Sequence, residues 1–173
     1  MRMKLWIIIG SLFFFTMSSM AQDCARGDER IKSINSEFEN EVLKLTNIER
    51  KKRGLSPLKM NKMLSYSARY HAKDMAEENY FEHDSFDRKK NGKLVKSCGT
   101  FDRIEAFISF SYLAENISAG QHTPESVLNA WMNSPGHKKN ILNKNFTEIG
   151  IAYYYSDDSE YNHYWVQNFG GDK

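Results

Sequence analysis

The chain has 173 residues, with 24 basic and 22 acidic side chains and a formal net charge of +2. This length suits one domain with a substantial core and is too short for two well-built domains. The near balance of charge gives no electrostatic case for nucleic acid as a partner.

The amino terminus is predicted to be a secretory signal peptide over residues 1–21. Arg2 and Lys4 precede an apolar run from Leu5 to Phe15, and Ser19-Met20-Ala21 matches a small-residue cleavage site. The competing interpretation is a membrane anchor, but the apolar run is shorter than the roughly 20 residues of a spanning helix. We therefore expect a secreted protein, or a periplasmic one in a Gram-negative cell, with no stable membrane insertion after cleavage.

The mature chain is expected to consist of an N-terminal extension, residues 22–37, and one domain, residues 38–173. Its two cysteines are Cys24 in the extension and Cys98 in the domain. Export would place them where a disulfide can persist, so they form either one bridge or two free thiols. A cysteine metal site is not expected, because neither has a partner at C-x-x-C spacing.

Two amphipathic helices are predicted in the first half of the domain. From Ser36 to Arg53 apolar residues recur at helical spacing, and Gly54 follows the basic last turn as a stop signal. The second helix is expected to begin after Asn61, a suitable N-cap, and to run to about Asn79. His71 lies beside the apolar face of this helix, which favours a packing role over a ligand role.

The middle of the chain alternates aromatic and polar stretches. His83 follows Tyr80-Phe81 and should be held by these aromatic anchors, although an exposed histidine in an acidic turn is the simpler alternative. Residues 86–100 contain Asn91-Gly92 and predict a long surface loop or a small hairpin. A short helix from Phe101 to Phe107 is expected next, and then a β-compatible run that leads into Glu115.

Two consecutive helix starts are predicted near the second histidine. Thr123-Pro124-Glu125 and Ser134-Pro135 each combine a capping residue with proline at the first helical position. His137 therefore falls in the first turn of the second of these helices. The positive end of a helix disfavours an imidazolium, so His137 is expected to be neutral, the form that binds metal or accepts a proton.

The carboxyl-terminal part is expected to form a β-hairpin from residues 148–155 and 161–169, which are rich in aromatic and β-branched residues. Its apolar residues should pack between the sheet and the helices: Ile149, Ile151, Trp165 and Val166. The predicted fold class is therefore α+β, with a small and mainly antiparallel sheet.

The sequence resembles the CAP family of cysteine-rich secretory proteins, antigen 5 and pathogenesis-related 1 proteins, in its bacterial SCP-like form. The resemblance covers about Val42 to Gly170 and consists of six motifs in the family's order. These are Asn47-x-x-Arg50; Phe81-x-His83-x-Ser85; Ala114-Glu115-Asn116-Ile117; Ala130-Trp131-Met132-Asn133-Ser134-Pro135-Gly136-His137 with Asn140-Ile141-Leu142; Glu148-Ile149-Gly150-Ile151; and Trp165-x-Gln167-Asn168-Phe169.

The resemblance implies a three-layer α/β/α sandwich and a cleft lined by two histidines and two acids. His83 and His137 match the histidines, and Glu115 matches the first acid. Ser134 stands where eukaryotic members have the second glutamate, and it has an alternative role as a helix N-cap. Glu148 could replace the missing acid, although solvent exposure at a strand start explains it equally well.

Three functional hypotheses follow. The first is a secreted module that binds a lipid, glycan, peptide or protein, with His83, Glu115 and His137 holding a divalent cation, zinc before others. The second is a metal-assisted hydrolase or peptidase in which the same three residues are catalytic. The third is a purely structural hydrogen-bonded network.

Overall fold

The computed structural model describes residues 24–173, so the predicted signal peptide lies outside the described part. That part contains five helices and six strands. In chain order they are α1 (Ser36–Lys51), β1 (Lys59–Met60), α2 (Lys62–Glu77), β2 (Ser85–Arg88), β3 (Leu94–Cys98), α3 (Thr100–Phe107), β4 (Tyr112–Ala119), α4 (Pro124–Asn133), α5 (Pro135–Ile141), β5 (Glu148–Tyr155) and β6 (His163–Gly171).

The main sheet has four strands in the order β1-β5-β6-β4. The pairs β5–β6 and β4–β6 are antiparallel, and the short edge strand β1 runs parallel to β5. Strands β2 and β3 form a separate antiparallel hairpin, one of the two alternatives predicted for residues 86–100. The register places Glu115 opposite Asn168 and Ala119 opposite Tyr164.

Helices cover both faces of the sheet. On one face, α1 and α4 pack against alternate residues of the central strands, including Ile149, Ile151 and Trp165. On the other face, α2 packs against Val166 and the other residues that alternate with that set. Because successive strand residues point to opposite faces, each central strand contributes to two cores. The α+β class and the three-layer sandwich are therefore confirmed.

The motif Asn47-x-x-Arg50 fastens α1 to two neighbouring segments. The Asn47 amide pairs with the backbone of Leu58 in both directions, at 2.8 and 3.0 Å. The guanidinium of Arg50 is 1% exposed and donates to four backbone carbonyls, those of Ser56, Ile141, Asn143 and Phe146. Buried carbonyls without secondary-structure partners are thereby satisfied, which is the usual requirement for irregular backbone inside a fold.

The predicted N-caps make side-chain capping hydrogen bonds at Asn61 and Thr123 but not at Ser134. Asn61 accepts from the backbone N–H groups of Met63 and Leu64, and Thr123 forms a reciprocal capping box with Ser126. Ser134 is the N-cap residue of α5, but its side chain makes no capping hydrogen bond. Ser134 therefore occupies the predicted N-cap position, but it does not provide the predicted capping hydrogen bond.

The N-terminal extension is anchored on the domain. A disulfide joins Cys24 to Cys98, 74 residues later. At Gly27 φ is +82° and an added Cβ would lie 1.8 Å from the carbonyl oxygen of Ala106, so this contact with α3 requires glycine. The disulfide and this contact hold the extension against the hairpin and α3.

Several element boundaries differ from the predictions by a few residues: α1 ends at Lys51 and not at Arg53, and α2 ends at Glu77 and not near Asn79. The β-compatible run that begins at Ile108 pairs as a strand only from Tyr112, and the last strand begins at His163 because residues 156–162 form the turn. Among the described residues, no helix is long and apolar enough to span a membrane.

Candidate functional site

Glu115 lies at the centre of the candidate site, on β4. Its side chain is 1% exposed, and its Oε2 accepts from the guanidinium of Arg103 at 2.5 Å. Arg103 comes from α3 and is also fully buried. A buried charge without a partner is strongly destabilising, so we expect the ion pair between Arg103 and Glu115 to be maintained in the folded protein.

His83 lies at the protein surface and is hydrogen-bonded to the same buried carboxylate. Its Nδ1 donates to Oε1 of Glu115 at 3.0 Å, because a carboxylate can only accept. The guanidinium of Arg103 donates to the backbone carbonyl of His83 at 3.0 Å, which fixes the loop as well. About half of the His83 side chain remains exposed, so its other ring nitrogen is accessible to a ligand.

A third histidine lies beneath this pair. His71, on α2, is fully buried; its Nε2 donates to the carbonyl of Glu82 at 3.0 Å and lies 3.9 Å from Oε1 of Glu115. Burial lowers the pKa of His71 to about 3, so it is neutral at physiological pH. The sequence favoured a packing role for His71, and its burial agrees with that role.

Asn168 completes the surroundings of the carboxylate. In the amide orientation that satisfies its neighbours, its nitrogen donates to Oε2 of Glu115 at 3.0 Å, and its oxygen accepts from Ala68 and Ser67. Both oxygens of Glu115 therefore already accept hydrogen bonds from the protein.

His137 lies next to this group without a hydrogen bond to it. Its backbone carbonyl accepts from the Asn116 amide at 3.2 Å, and its ring is half-buried. Burial, and then the charge of His83, lower the pKa of His137. A lowered pKa keeps the His137 ring neutral at physiological pH, which agrees with the protonation state that the sequence predicted.

An open cavity of about 390 Å³ leads to these side chains. The ring of Phe101, which is 52% exposed, forms part of its wall. Ser134 and His137 do not line this cavity. The cleft therefore contains fewer of the motif residues than the resemblance implies. Its lining consists of His83, Thr100, Phe101, Leu113, Ala114, Glu115 and Asn140.

The pKa values of Glu115 and His83 are shifted in opposite directions. Burial, the largest single effect, would raise the pKa of Glu115, but the charge of Arg103 together with the contributions of His71 and His83 outweighs it and leaves that pKa below its ordinary value. The hydrogen bond to Glu115 raises the pKa of His83, against the opposing effect of burial. Glu115 is thus an anion, and His83 is the group in the cleft that most readily carries a proton.

Asp74, on α2, is a second, partly buried carboxylate near this group, and it lies at a different sequence position from Ser134, where the resemblance implied a glutamate. Burial raises the pKa of Asp74 to about 6, and its Oδ2 accepts from the hydroxyl of Tyr80 at 2.5 Å. Ser85 links the two levels, because its buried hydroxyl accepts from Arg103 at 3.0 Å. Glu148, the other candidate acid, is bonded to Asn61 at the sheet edge.

The residues present do not fit a three-ligand zinc site. Within residues 24–173, no three His, Cys, Asp or Glu side chains are arranged to hold a metal ion. The hydrogen bonds of Glu115 explain why these residues do not form a metal site. The negative charge of Glu115 is balanced by the ion pair with Arg103, and its Oε1 accepts a hydrogen bond from the N–H of His83. A metal ligand must offer a free lone pair at about 2.0–2.2 Å.

The sequence motifs named His83, Glu115 and His137 as site residues and gave no role to Arg103 or Asn168, of which the structure brings His83, Arg103 and Asn168 into contact with Glu115. Arg103 carries no motif signal, because a basic residue in a short helix is usually exposed. Asn168 stands inside a recognised motif, and its position opposite Glu115 follows from pairing β4 with β6. Local sequence patterns do not specify that pairing, so they do not predict the contact.

The three-layer sandwich, with a histidine and a glutamate meeting at an open cleft, defines the class of protein implied by the sequence motifs. A family comparison agrees: residues 43–169 match the model of the "Cysteine-rich secretory protein family" (CAP). The chain therefore belongs to the CAP family.

Several similar proteins come from bacteria. The chain is 46% identical over 136 residues to the YkwD protein of Bacillus subtilis, covering 79% of this chain and 48% of that protein. A crystal structure of an extracellular, SCP-domain-containing protein from Bacillus anthracis superposes with a TM-score of 0.63 at 33% identity, covering 81% of this chain and 42% of the other.

An outer surface protein from Borrelia burgdorferi superposes with a TM-score of 0.67 at 25% identity, covering 82% of this chain and 98% of the other. The chain spans about half or less of the length of the curated relatives it matches. The similarity to those relatives therefore concerns the domain and not the whole of their chains.

Proposed function

We infer that this chain is an extracellular binding module whose cleft recognises a ligand through the His83 imidazolium. The observation that carries this function is the bond from Nδ1 of His83 to the buried carboxylate of Glu115, which orients the ring while half of it stays exposed. A charged donor held in a fixed direction is suited to an acceptor group, best an anionic one.

The rest of the cleft is consistent with such a ligand. Phe101 and Leu113 offer apolar surface, while Thr100 and Asn140 offer polar groups at the same opening. Binding sites commonly combine apolar walls with a few oriented polar groups. The ligand class is accordingly a lipid, glycan, peptide or protein that brings an acidic or other acceptor group to His83.

The extracellular assignment has three supports. The apolar run at residues 5–15 has the form of a signal peptide. Cys24 and Cys98 form a disulfide, which persists in oxidising compartments. Two of the similar structures are described as an extracellular protein and an outer surface protein.

A titration with a small carboxylate probe tests the binding function. We expect N-acetyl-dialanine with a free carboxylate to shift the NMR signals of Thr100, Asn140 and the His83 ring. Binding should be tighter at pH 6 than at pH 8.5, because His83 loses its proton as pH rises. The matched control is the same dipeptide with an amidated terminus, which lacks the negative charge.

Two variants sharpen this test. His83→Ala should abolish the shifts, and His83→Gln, which keeps a donor without the charge, should weaken binding by about tenfold, a typical value for losing a charge-assisted hydrogen bond. Equal binding of acid and amide, or full binding by His83→Ala, would contradict the proposal.

The metal-assisted hydrolase gains no support from the geometry. Both oxygens of Glu115 accept hydrogen bonds from protein groups, so Glu115 is poorly placed to act as base or metal ligand. Ser85, the neighbouring hydroxyl, is buried beneath the cleft and bonded to Arg103. The binding function requires none of these groups to react.

A further inference from the structure

Two histidines outside the cleft come together at the opposite end of the β4–β6 pair. His122 lies in the loop between β4 and α4, and His163 is the first residue of β6. Their ring centres are 4.3 Å apart with the planes inclined by 43°. Because Ala119 pairs with Tyr164, this place is about four residues, or roughly 13 Å, along β4 from Glu115.

The backbone at both histidines is held in place. Gly120 N–H donates to the carbonyl of His163 at 2.8 Å, which closes the loop onto β6. On the other side of His122's loop, the fully buried Trp165 donates from its indole nitrogen to the carbonyl of Gln121 at 2.7 Å. The two rings therefore lie on a fixed frame, which reduces the cost of bringing them to one ligand.

One ring is also oriented by its neighbour. The hydroxyl of Tyr153 and Nδ1 of His163 are 2.8 Å apart, so Nδ1 is engaged and Nε2 is the nitrogen left for a further partner. Histidines that bind metals are typically fixed in this way through their second nitrogen. Burial, and then the charge of His122, lower the pKa of His163, so its ring is neutral at physiological pH.

The spacing suits two ligands of one ion. With metal–nitrogen distances of about 2.0–2.1 Å, two imidazoles on one ion have ring centres roughly 4.5–5 Å apart. The observed 4.3 Å requires only a small rotation, and His122, which is exposed, is the ring free to make it. Solvent can supply the remaining ligands at this edge.

We propose that His122 and His163 form a surface site for a borderline transition-metal ion, Cu²⁺ or Zn²⁺. Two imidazoles without a carboxylate select these ions over Ca²⁺ and Mg²⁺, which require oxygen ligands. Cu²⁺ binds more tightly than Zn²⁺ in the usual order of stability of divalent ions. This site is independent of the His83–Glu115 cleft and of its proposed ligand.

The test is a calorimetric titration of untagged, disulfide-intact protein with Cu²⁺ and with Zn²⁺, supported by the nitrogen hyperfine pattern of bound Cu²⁺. We expect one ion per chain, coupling to two imidazole nitrogens, and at least a tenfold loss of affinity in His122→Asn. Since His122 is exposed, this variant should fold as the parent does, which its melting curve checks. His163→Asn should behave in the same way.

The matched controls are His83→Asn and His137→Asn, which remove the histidine of the cleft and the one next to it and should leave the titration unchanged. The proposal is overturned if neither ion binds, if His122→Asn binds as the parent does, or if the ion is lost in the cleft variants. A metal in the cleft and a metal at this edge are thereby distinguished by which pair of substitutions removes it.

Discussion

The guanidinium of Arg103 lies 2.5 Å from the carboxylate of Glu115, and neither side chain reaches solvent. Arg103 thus provides, from α3, the positive charge that a bound cation would otherwise supply to Glu115. The same arginine contacts the carbonyl of His83 and the hydroxyl of Ser85. One buried residue therefore sets both the charge and the shape of the cleft floor.

Removing this arginine should be strongly destabilising. Arg103→Met leaves Glu115 buried without its counter-charge, and we expect a loss of about 3–5 kcal/mol in the free energy of unfolding, measured by urea denaturation. Adding Glu115→Gln to that variant should restore part of the loss, because the uncompensated charge is removed. A double variant less stable than Arg103→Met would contradict the assignment.

The pKa values of His83, in the cleft, and of His137, next to it, should lie on opposite sides of the ordinary histidine value. The hydrogen bond to Glu115 raises the pKa of His83, whereas burial and the charge of His83 lower that of His137. NMR of the ring protons measures both. His83→Ala should raise the pKa of His137 towards its ordinary value, and the remote His122→Ala should not; a His83 pKa at or below normal would be inconsistent with the bond to Glu115.

Acid should destabilise the fold through His71. Burial lowers its pKa in the folded protein to about 3, while the unfolded chain takes up the proton near 6.5. The stabilising contribution is therefore complete above pH 6.5 and is lost as pH falls towards 3, at up to about 1.4 kcal/mol per pH unit. His71→Gln should flatten this part of the stability curve, and parallel curves for both proteins would refute the argument.

Reduction of the disulfide should lower stability without abolishing the sheet. Closing a loop of 74 residues corresponds to about 4 kcal/mol in the chain-entropy estimate. Denaturant midpoints with and without reductant measure the loss, and Cys24→Ser/Cys98→Ser should be insensitive to reductant. Because Cys98 lies two residues before α3, which carries Arg103, reduction should also move the ring signals of His83.

The two predicted helix caps should differ in value. Thr123→Ala removes a capping box and should cost about 1 kcal/mol, whereas Ser134→Ala removes no capping bond and should lie within about 0.5 kcal/mol of the parent. Thermal melts of the two variants give the comparison. An equal loss at both positions would mean that Ser134 caps α5 in solution.

Much of the fold could be predicted from local signals. Asn61 and Thr123 mark helix starts by cap chemistry, and the apolar spacing of the helices and strands identifies Ile149, Ile151 and Trp165 as core. These signals are short-range, so a single sequence contains them. Strand ends were less predictable, because pairing begins at Tyr112 and His163 only where a partner strand is available.

The candidate site was predictable only as far as its motifs reach. His83 and Glu115 are 32 residues apart, and their contact depends on how the segment between α2 and β2 packs against β4. Arg103 could not be identified because its burial is a tertiary property. The pairing of His122 with His163 likewise depends on the register of β4 and β6, which no local pattern encodes.

Gly150 has a role that becomes clear only when the layers are considered together. A Cβ on this residue of β5 would lie 2.1 Å from the backbone of Leu64, so main chain rests on main chain where α2 begins. We expect a side chain at this contact to push the start of α2 away from β5 and so to tilt the helix. His71 lies seven residues further on, about 10 Å along the axis, so a small tilt at Gly150 is magnified into a displacement beneath Glu115. Even alanine at Gly150 should therefore disturb the cleft floor from a distance.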